Sequence, residues 1–180
     1  MIADRRETGD SVTVADRVAS YQSVMEVRLI ERDDVPAVIA LVTRTLNEFG
    51  LEFGVGSRTD QDLHELPGSY ADHGGAFWVA TASDGRLLGT CGVAKLDGGV
   101  FELRKMYLDP ASRGAGLGAR LLDVAVAWTR DHGGTMLVLD TIESMTRAIS
   151  FYEAHGFVRD DTHIRGSRCT RGYKRELVAV

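Results

Sequence analysis

Val100-Phe101-Glu102-Leu103-Arg104-Lys105-Met106-Tyr107-Leu108 runs into Asp109-Pro110, and Arg113-Gly114-Ala115-Gly116-Leu117-Gly118 follows at once. The first part reads as a strand, stopped where proline removes a backbone donor. From about Ala115 to Asp131 the apolar residues Leu117, Leu121, Val124, Ala125 and Trp128 recur at helical spacing, and Gly133-Gly134 ends the run. A glycine turn between a strand and a helix presents free N–H groups at a helix N-terminus, which carries about half a positive charge and suits a pyrophosphate. The segment has no Lys-Ser/Thr ending and its glycines are spaced G-x-G-x-G, so it is neither a P-loop nor a dinucleotide fingerprint. A turn that merely tightens the connection is the rival reading.

Outward from that turn the chain is strongly patterned. Upstream, Ala76–Ala82, Arg86–Lys95 and Val100–Leu108 form three strands joined by Ser83-Asp84-Gly85 and Asp97-Gly98-Gly99, an antiparallel meander with hairpin turns. Met25–Ile30 alternates as a strand, and Asp33 or Asp34 caps a helix with Pro36 in its first turn. Residues 50–75 are mixed and acidic, with a short helix opened by Thr59. Downstream, Thr135–Thr141 is an apolar strand of the kind buried on both faces. Met145, Ala148, Ile149 and Tyr152 mark a helix closed by Gly156, and 157–164 and 173–178 read as final strands. The expected order, β-α-α-β-β-β-α-β-α-β-β, is that of a mixed α/β layered domain over residues 25–180, preceded by a polar tail, 1–24.

The chain has 180 residues, a net charge of −5 and two cysteines, Cys91 and Cys169. Two cysteines make no disulfide framework, and no Cys/His spacing resembles a metal site, so no metal is expected. Cys91 sits in an apolar strand pattern and reads as core. Nucleic acid is not expected as a partner without a basic face. No run approaches the ~20 apolar residues of a membrane helix, and no signal peptide is visible, so the expectation is a cytoplasmic protein without membrane contact. The negative balance favours a cationic acceptor, and Glu48, Glu52, Asp60, Asp62 and Glu65 are candidates for an attracting rim.

Two motifs in order point to a family. R-G-A-G-L-G, residues 113–118, resembles the GNAT superfamily pattern Arg/Gln-x-x-Gly-x-Gly/Ala. Ala148-Ile149-Ser150-Phe151-Tyr152-Glu153-Ala154-His155-Gly156-Phe157 is similar to that family's A-x-x-F-Y-E-x-x-G-F. The resemblance covers about residues 25–178 and implies an acetyl-CoA-dependent N-acetyltransferase. It also implies a mixed, mostly antiparallel sheet that splays between Val100–Leu108 and Thr135–Thr141 to admit the pantetheine arm.

Carried over residue by residue, Arg113, Gly114, Ala115, Gly116, Leu117 and Gly118 hold the pyrophosphate, and the backbone of Leu108 bonds the pantetheine. The Met106 N–H faces the thioester oxygen, and Tyr152 protonates the departing thiolate. Glu102 stands where some members carry a base. Strand alternation puts it on one face with Arg104 and Met106, Tyr107 opposite; a surface pair with Arg104 is its rival reading. The family's Asn three residues before the helix alanine is Met145 here, with Ser144 beside it as a cap. Trp78 reads as core and His155 as a helix-end residue. The expected acceptor is a small-molecule primary amine. A protein amine, a non-catalytic acyl-CoA-binding role and a homodimer are left open.

Overall fold

A computed structural model describes residues 25–177; the polar segment 1–24 lies outside them. Among the described residues seven strands form one sheet in the order β1-β2-β3-β4-β5-β7-β6. They are β1 (Met25–Leu29), β2 (Ala76–Ala82), β3 (Leu87–Lys95), β4 (Val100–Leu108), β5 (Met136–Thr141), β6 (Val158–Arg159) and β7 (Arg171–Glu176). β1 to β4 are antiparallel neighbours, as the meander predicts. β4 and β5 are parallel, because the helix between them crosses over the sheet. The last two strands differ from expectation: β6 keeps only two residues before the 3₁₀ turn Asp161–His163, and β7 starts at Arg171. Asp160 and Asp161 draw the chain into that turn by accepting from Thr162 N–H (3.2 Å) and Gly172 N–H (3.0 Å).

Each face of the sheet is covered. Helices α3 (Leu117–Asp131) and α4 (Thr146–Ala154) lie over one, and α1 (Val35–Asn47) and the short α2 (Gly68–Ala71) over the other. Alternation sorts β2 cleanly: Trp78 and Ala80 enter the core under α3, Phe77 and Val79 the core under α1. Trp78 fills that core against Trp128, edge to face at 5.8 Å, and Cys91 is fully buried beside it. Leu117, Leu121, Leu122 and Ala125 are fully buried on the inner stripe of α3; each such leucine contributes about 1.5–3 kcal/mol of burial. The acidic 50–75 stretch forms the 3₁₀ segment Arg58–Glu65 and then α2, so the short helix expected at Thr59 is present, in the tighter 3₁₀ form.

Candidate active site

The parallel ladder between β4 and β5 is short. Val100, Phe101 and Glu102 pair with Met136, Leu137 and Val138, and there it ends. β5 stays on β7 as far as Thr141, while β4 continues on β3 to Leu108, so the two strands part as a V. A cleft of about 1380 Å³ opens there. That exceeds the ~300–1,000 Å³ of ordinary small-ligand pockets and suits a long ligand together with a second one. Of the residues singled out by sequence, Glu102, Met106, Leu108, Arg113, Gly114, Gly118 and Tyr152 all line it. Ala115, Gly116 and Leu117 do not, and the Leu117 side chain belongs to the core.

At the wide end lies the glycine turn. Gly114 and Gly116 have φ of 83° and 80°, and a Cβ at either would meet nothing within 4 Å. Glycine is needed there for its backbone conformation, and the space in front of it is open. α3 starts at Leu117, two residues later than its apolar period suggests, because Gly116 is left-handed and caps it. Arg120 N–H to the Gly116 carbonyl (3.2 Å) is the helix's first backbone bond, so the N–H groups before it have no helical acceptor. Arg113 grips Glu48 at 2.6 and 2.8 Å and the Leu108 carbonyl at 3.1 and 3.2 Å, tying the turn to the end of β4 and to α1. The Arg113 hydrogen bonds hold the Glu48 carboxyl below its ordinary value.

Midway along the cleft β4 carries an irregularity that corrects the alternation argument. The register with β3 slips between Thr90 and Gly92, and Lys105 takes a φ of +50°. One extra residue in β4 reverses the parity beyond it. Glu102 and Arg104 do share a face, but Met106 and Leu108 turn to the α3 side, and Tyr107 comes to the Glu102 side. The Thr90 hydroxyl donates to the Lys105 carbonyl at 2.7 Å. In a planar trans peptide the next N–H points the opposite way, so the Met106 N–H is directed away from β3, toward the side from which β5 has departed.

Tyr152, on α4, is buried and lines the cleft, and its hydroxyl bonds no other group of the described residues. Burial, then the neighbouring Cys91 and Tyr107, push its pKa upward, so the phenol keeps its proton through neutral pH. Glu102 is a buried carboxylate, not a surface one, and it accepts from Arg104 Nε at 2.7 Å and Nη2 at 2.5 Å. Met145 occupies the N-cap of α4 and accepts weakly from the Thr141 hydroxyl (3.6 Å); Ser144 lines the cleft and makes no cap bond. His155 closes α4, its Nδ1 on the Phe151 carbonyl at 2.7 Å. Thr45 Oγ1, on the α1 wall, is buried without a partner.

Beside that irregular turn lie groups that no motif announces. Asp60 is fully buried; its carboxylate takes Gly54 N–H (2.9 Å), Arg168 at 2.9 and 3.1 Å, and the ammonium of Lys105. Burial works against its charge, but the Arg168 hydrogen bonds and the Lys105 charge outweigh that and keep its pKa below the ordinary value. The acidic rim expected from sequence is therefore not one: Asp60 is spent internally, Glu48 is held by Arg113, and Glu52, Asp62 and Glu65 do not line the cleft. Seven arginine and lysine side chains line it, against three carboxylates. Among the described residues no group of three or more His, Cys, Asp or Glu is placed to hold a metal, and no helix is long and apolar enough to cross a membrane.

A parted parallel strand pair, a glycine turn at a helix N-terminus and a tyrosine in the gap agree with what comparison with known proteins returns. The sequence model of the "Acetyltransferase (GNAT) family" matches residues 42–157. An uncharacterized N-acetyltransferase of Escherichia coli (strain K12), YjgM, is 34% identical over 148 residues, covering 80% of this chain and 87% of that protein. The crystal structure of a GNAT-family acetyltransferase from Staphylococcus aureus Mu50 superposes with a TM-score of 0.79 at 26% identity, over 86% of this chain and 99% of that one. The PaiA N-acetyltransferase of Thermoplasma acidophilum, solved with coenzyme A, gives 0.67 at 19% identity, over 84% and 98%, a likeness of fold. The chain belongs to the GNAT acetyltransferase family and is an acetyltransferase.

Proposed function

We propose that this acetyltransferase moves an acetyl group from acetyl-CoA to a primary amine of a small molecule, by direct attack within a ternary complex. The observation that carries the reading is the β4 irregularity midway along the gap, where the Thr90 hydroxyl holds the Lys105 carbonyl and so leaves the following Met106 N–H free to face the space beside β5. A structure of a related fold bound to coenzyme A supports the choice of cofactor.

The residues fit acetyl-CoA on their own terms. The open, left-handed Gly114 and Gly116 and the unpaired N–H groups ahead of α3 suit a pyrophosphate. The gap beyond Glu102 admits a narrow arm with two strand edges to bond. When bound, acetyl-CoA supplies an activated acetyl thioester. Arg113 and residues 114–118 bind its phosphates, and Leu108 and the unpartnered Thr45 hydroxyl bond the arm. The Met106 N–H donates to the thioester oxygen as negative charge gathers on it, a contact worth 10²–10³ in rate in comparable sites. The amine gives up its proton to Glu102, directly or through water, once Arg104 shares that carboxylate. Tyr152, protonated at neutral pH, supplies a proton to the departing sulfur. Such acid–base help is worth roughly 10²–10⁴-fold.

The test is release of free thiol from acetyl-CoA across a panel of amines, run on wild type and Thr90→Val. The reading expects amine-dependent thiol release, and a fall in kcat of about 10-fold or more in the variant with acetyl-CoA affinity within a few-fold. Amine-independent thiol appearance, or a Thr90→Val enzyme with unchanged kcat, contradicts it.

A further inference from the structure

The acceptor end of the cleft is built from segments 51–61 and 164–169, and these are fastened to each other rather than to the glycine turn. Arg168 N–H and the Ser167 hydroxyl donate to the Gly56 carbonyl at 3.3 and 3.1 Å, and Arg168 Nη1 donates to the Val55 carbonyl at 3.2 Å. Asp60 then joins this pair of loops to the irregular turn of β4 through Lys105. The charges in the assembly do not cancel. One carboxylate, Asp60, serves two cations, Lys105 and Arg168, all three largely or wholly buried. Arg104 is paired with Glu102 at 2.5 Å and, more loosely, with Asp62 at 3.9 Å. Asp140 also faces the cleft, but its carboxylate accepts from the Arg165 and Gly166 N–H groups at 2.8 and 2.7 Å and pairs with no cation among the described residues. Arg58 and Arg165 line the same end, exposed, and make no ion pair among the described residues.

The donors are as unbalanced as the charges. An ammonium has three N–H donors, and Lys105, a residue bordering the cleft, uses one of them, on Asp60, although its side chain is only 4% exposed. A buried charged donor without an acceptor is costly, and one aimed into a cavity is answered by a ligand or by water. The phosphates of the cofactor do not answer it, since the helix N-terminus and Arg113 that suit them lie beyond Leu108, past the irregular turn.

We propose that the acceptor is an amine that also bears a carboxylate, held by Lys105 and Arg168 with Arg58 and Arg165 at the entrance. This rests on the acetyl-transfer reading above and adds the class of acceptor to it. The same positive charge beside the amino group favours its neutral, nucleophilic form over the ammonium. It also turns away polyamines, which bring positive charge and nothing to bind it. The cationic acceptor suggested by the net charge of −5 is thus disfavoured where it would have to bind, because the surplus acidic residues lie elsewhere on the chain.

The experiment compares matched series: α-amino acids, their primary amides, their decarboxylated amines, and a diamine. It follows initial rates of thiol release on the full chain. In parallel, calorimetry with saturating CoA measures binding of an N-acetyl amino acid and of its amide. The expected result is a preference for the acid of about 10–100-fold in kcat/KM, the range for charge-assisted hydrogen bonds. The Arg58→Gln/Arg165→Gln double variant should raise KM for the acid severalfold and leave KM for acetyl-CoA unchanged. Arg168→Met should abolish the preference; if circular dichroism shows it unfolded, the surface double variant decides. Brisk thiol release with the amide or diamine equal to or ahead of the acid overturns the inference and leaves acetyl transfer standing. Thiol release with no member of the series, despite CoA binding, counts against acetyl transfer to small amines. The calorimetric arm then decides the charge preference alone, and equal binding of N-acetyl acid and amide overturns it.

Discussion

Replacing Asp60 by Asn removes one charge from the most buried ionic cluster described here and changes almost no volume. The carboxylate is fully buried and receives Gly54 N–H, two Arg168 nitrogens and the Lys105 ammonium. Asn cannot balance the two cations, and its amide N–H₂ points a donor at one of them. Breaking a buried pair from one side costs about 3–5 kcal/mol, because the remaining charge stays desolvated. At about 2–4 °C per kcal/mol for a domain of this size, the melting temperature should fall by about 6–20 °C.

The pH dependence follows from the same carboxylate. Its folded pKa lies below the ordinary 3.8, so its stabilising contribution is complete above that value and is lost as pH falls through the depressed one. Wild type should therefore lose stability at the acid end faster than Asp60→Asn, and the gap between them should narrow. Adding Lys105→Met should restore part of the loss, with a coupling of about 0.5–3 kcal/mol. Calorimetric melts of the four proteins from neutral to acid pH measure this. A drop under about 2 °C at neutral pH, or strictly additive single and double variants, refutes the view that this cluster holds the acceptor end together.

Two further outcomes concern the catalytic end. Gly116→Asp should weaken acetyl-CoA binding by 10-fold or more while costing about 1 kcal/mol in stability. The position is left-handed and open, so the new carboxylate fits the fold but opposes the phosphates; isothermal titration of a folded variant at wild-type affinity would show the turn to be structural only. Tyr152→Phe should lower kcat with acetyl-CoA affinity within a few-fold, since the ring still fills its site and only the proton donor goes; steady-state rates equal to wild type would mean water protonates the thiolate.

The parts of the fold legible in the sequence were those written in local code. The meander from Ala76 to Leu108 alternates, turns on glycine and stops at Asp109-Pro110, and every strand of it stands within a residue or so of its expected ends. The glycine turn and the Tyr152 helix were readable because their residue types are demanded by conformation and by a family pattern. The extra residue at Lys105 was not readable. Nothing in V-F-E-L-R-K-M-Y-L marks a φ of +50°, and one inserted residue was enough to move Met106 to the other face from Glu102. Only the Thr90 hydroxyl on the facing strand betrays it, and that pairing is tertiary. The acceptor end was hidden for the same reason: Lys105 and Arg168 lie 45 and 108 positions along the chain from Asp60, the carboxylate that unites them. Counting charges over residues 48–65 misplaced the acidic rim, since Asp60 and Glu48 are paired with cations and Glu52, Asp62 and Glu65 do not line the cleft. The final strands were misjudged because Asp160 and Asp161, taken as strand residues, make turns.

The central claim is that the gap between β4 and β5 is a seat for acetyl-CoA, and a thermal-shift titration tests it most directly. With acetyl-CoA at a hundred times its dissociation constant the folded state should gain about 2.7 kcal/mol, a rise of about 5–10 °C in melting temperature for a chain of this length. Gly116→Asp should shift far less at the same concentration. No rise in wild type at millimolar acetyl-CoA, or equal rises in both proteins, would contradict the account.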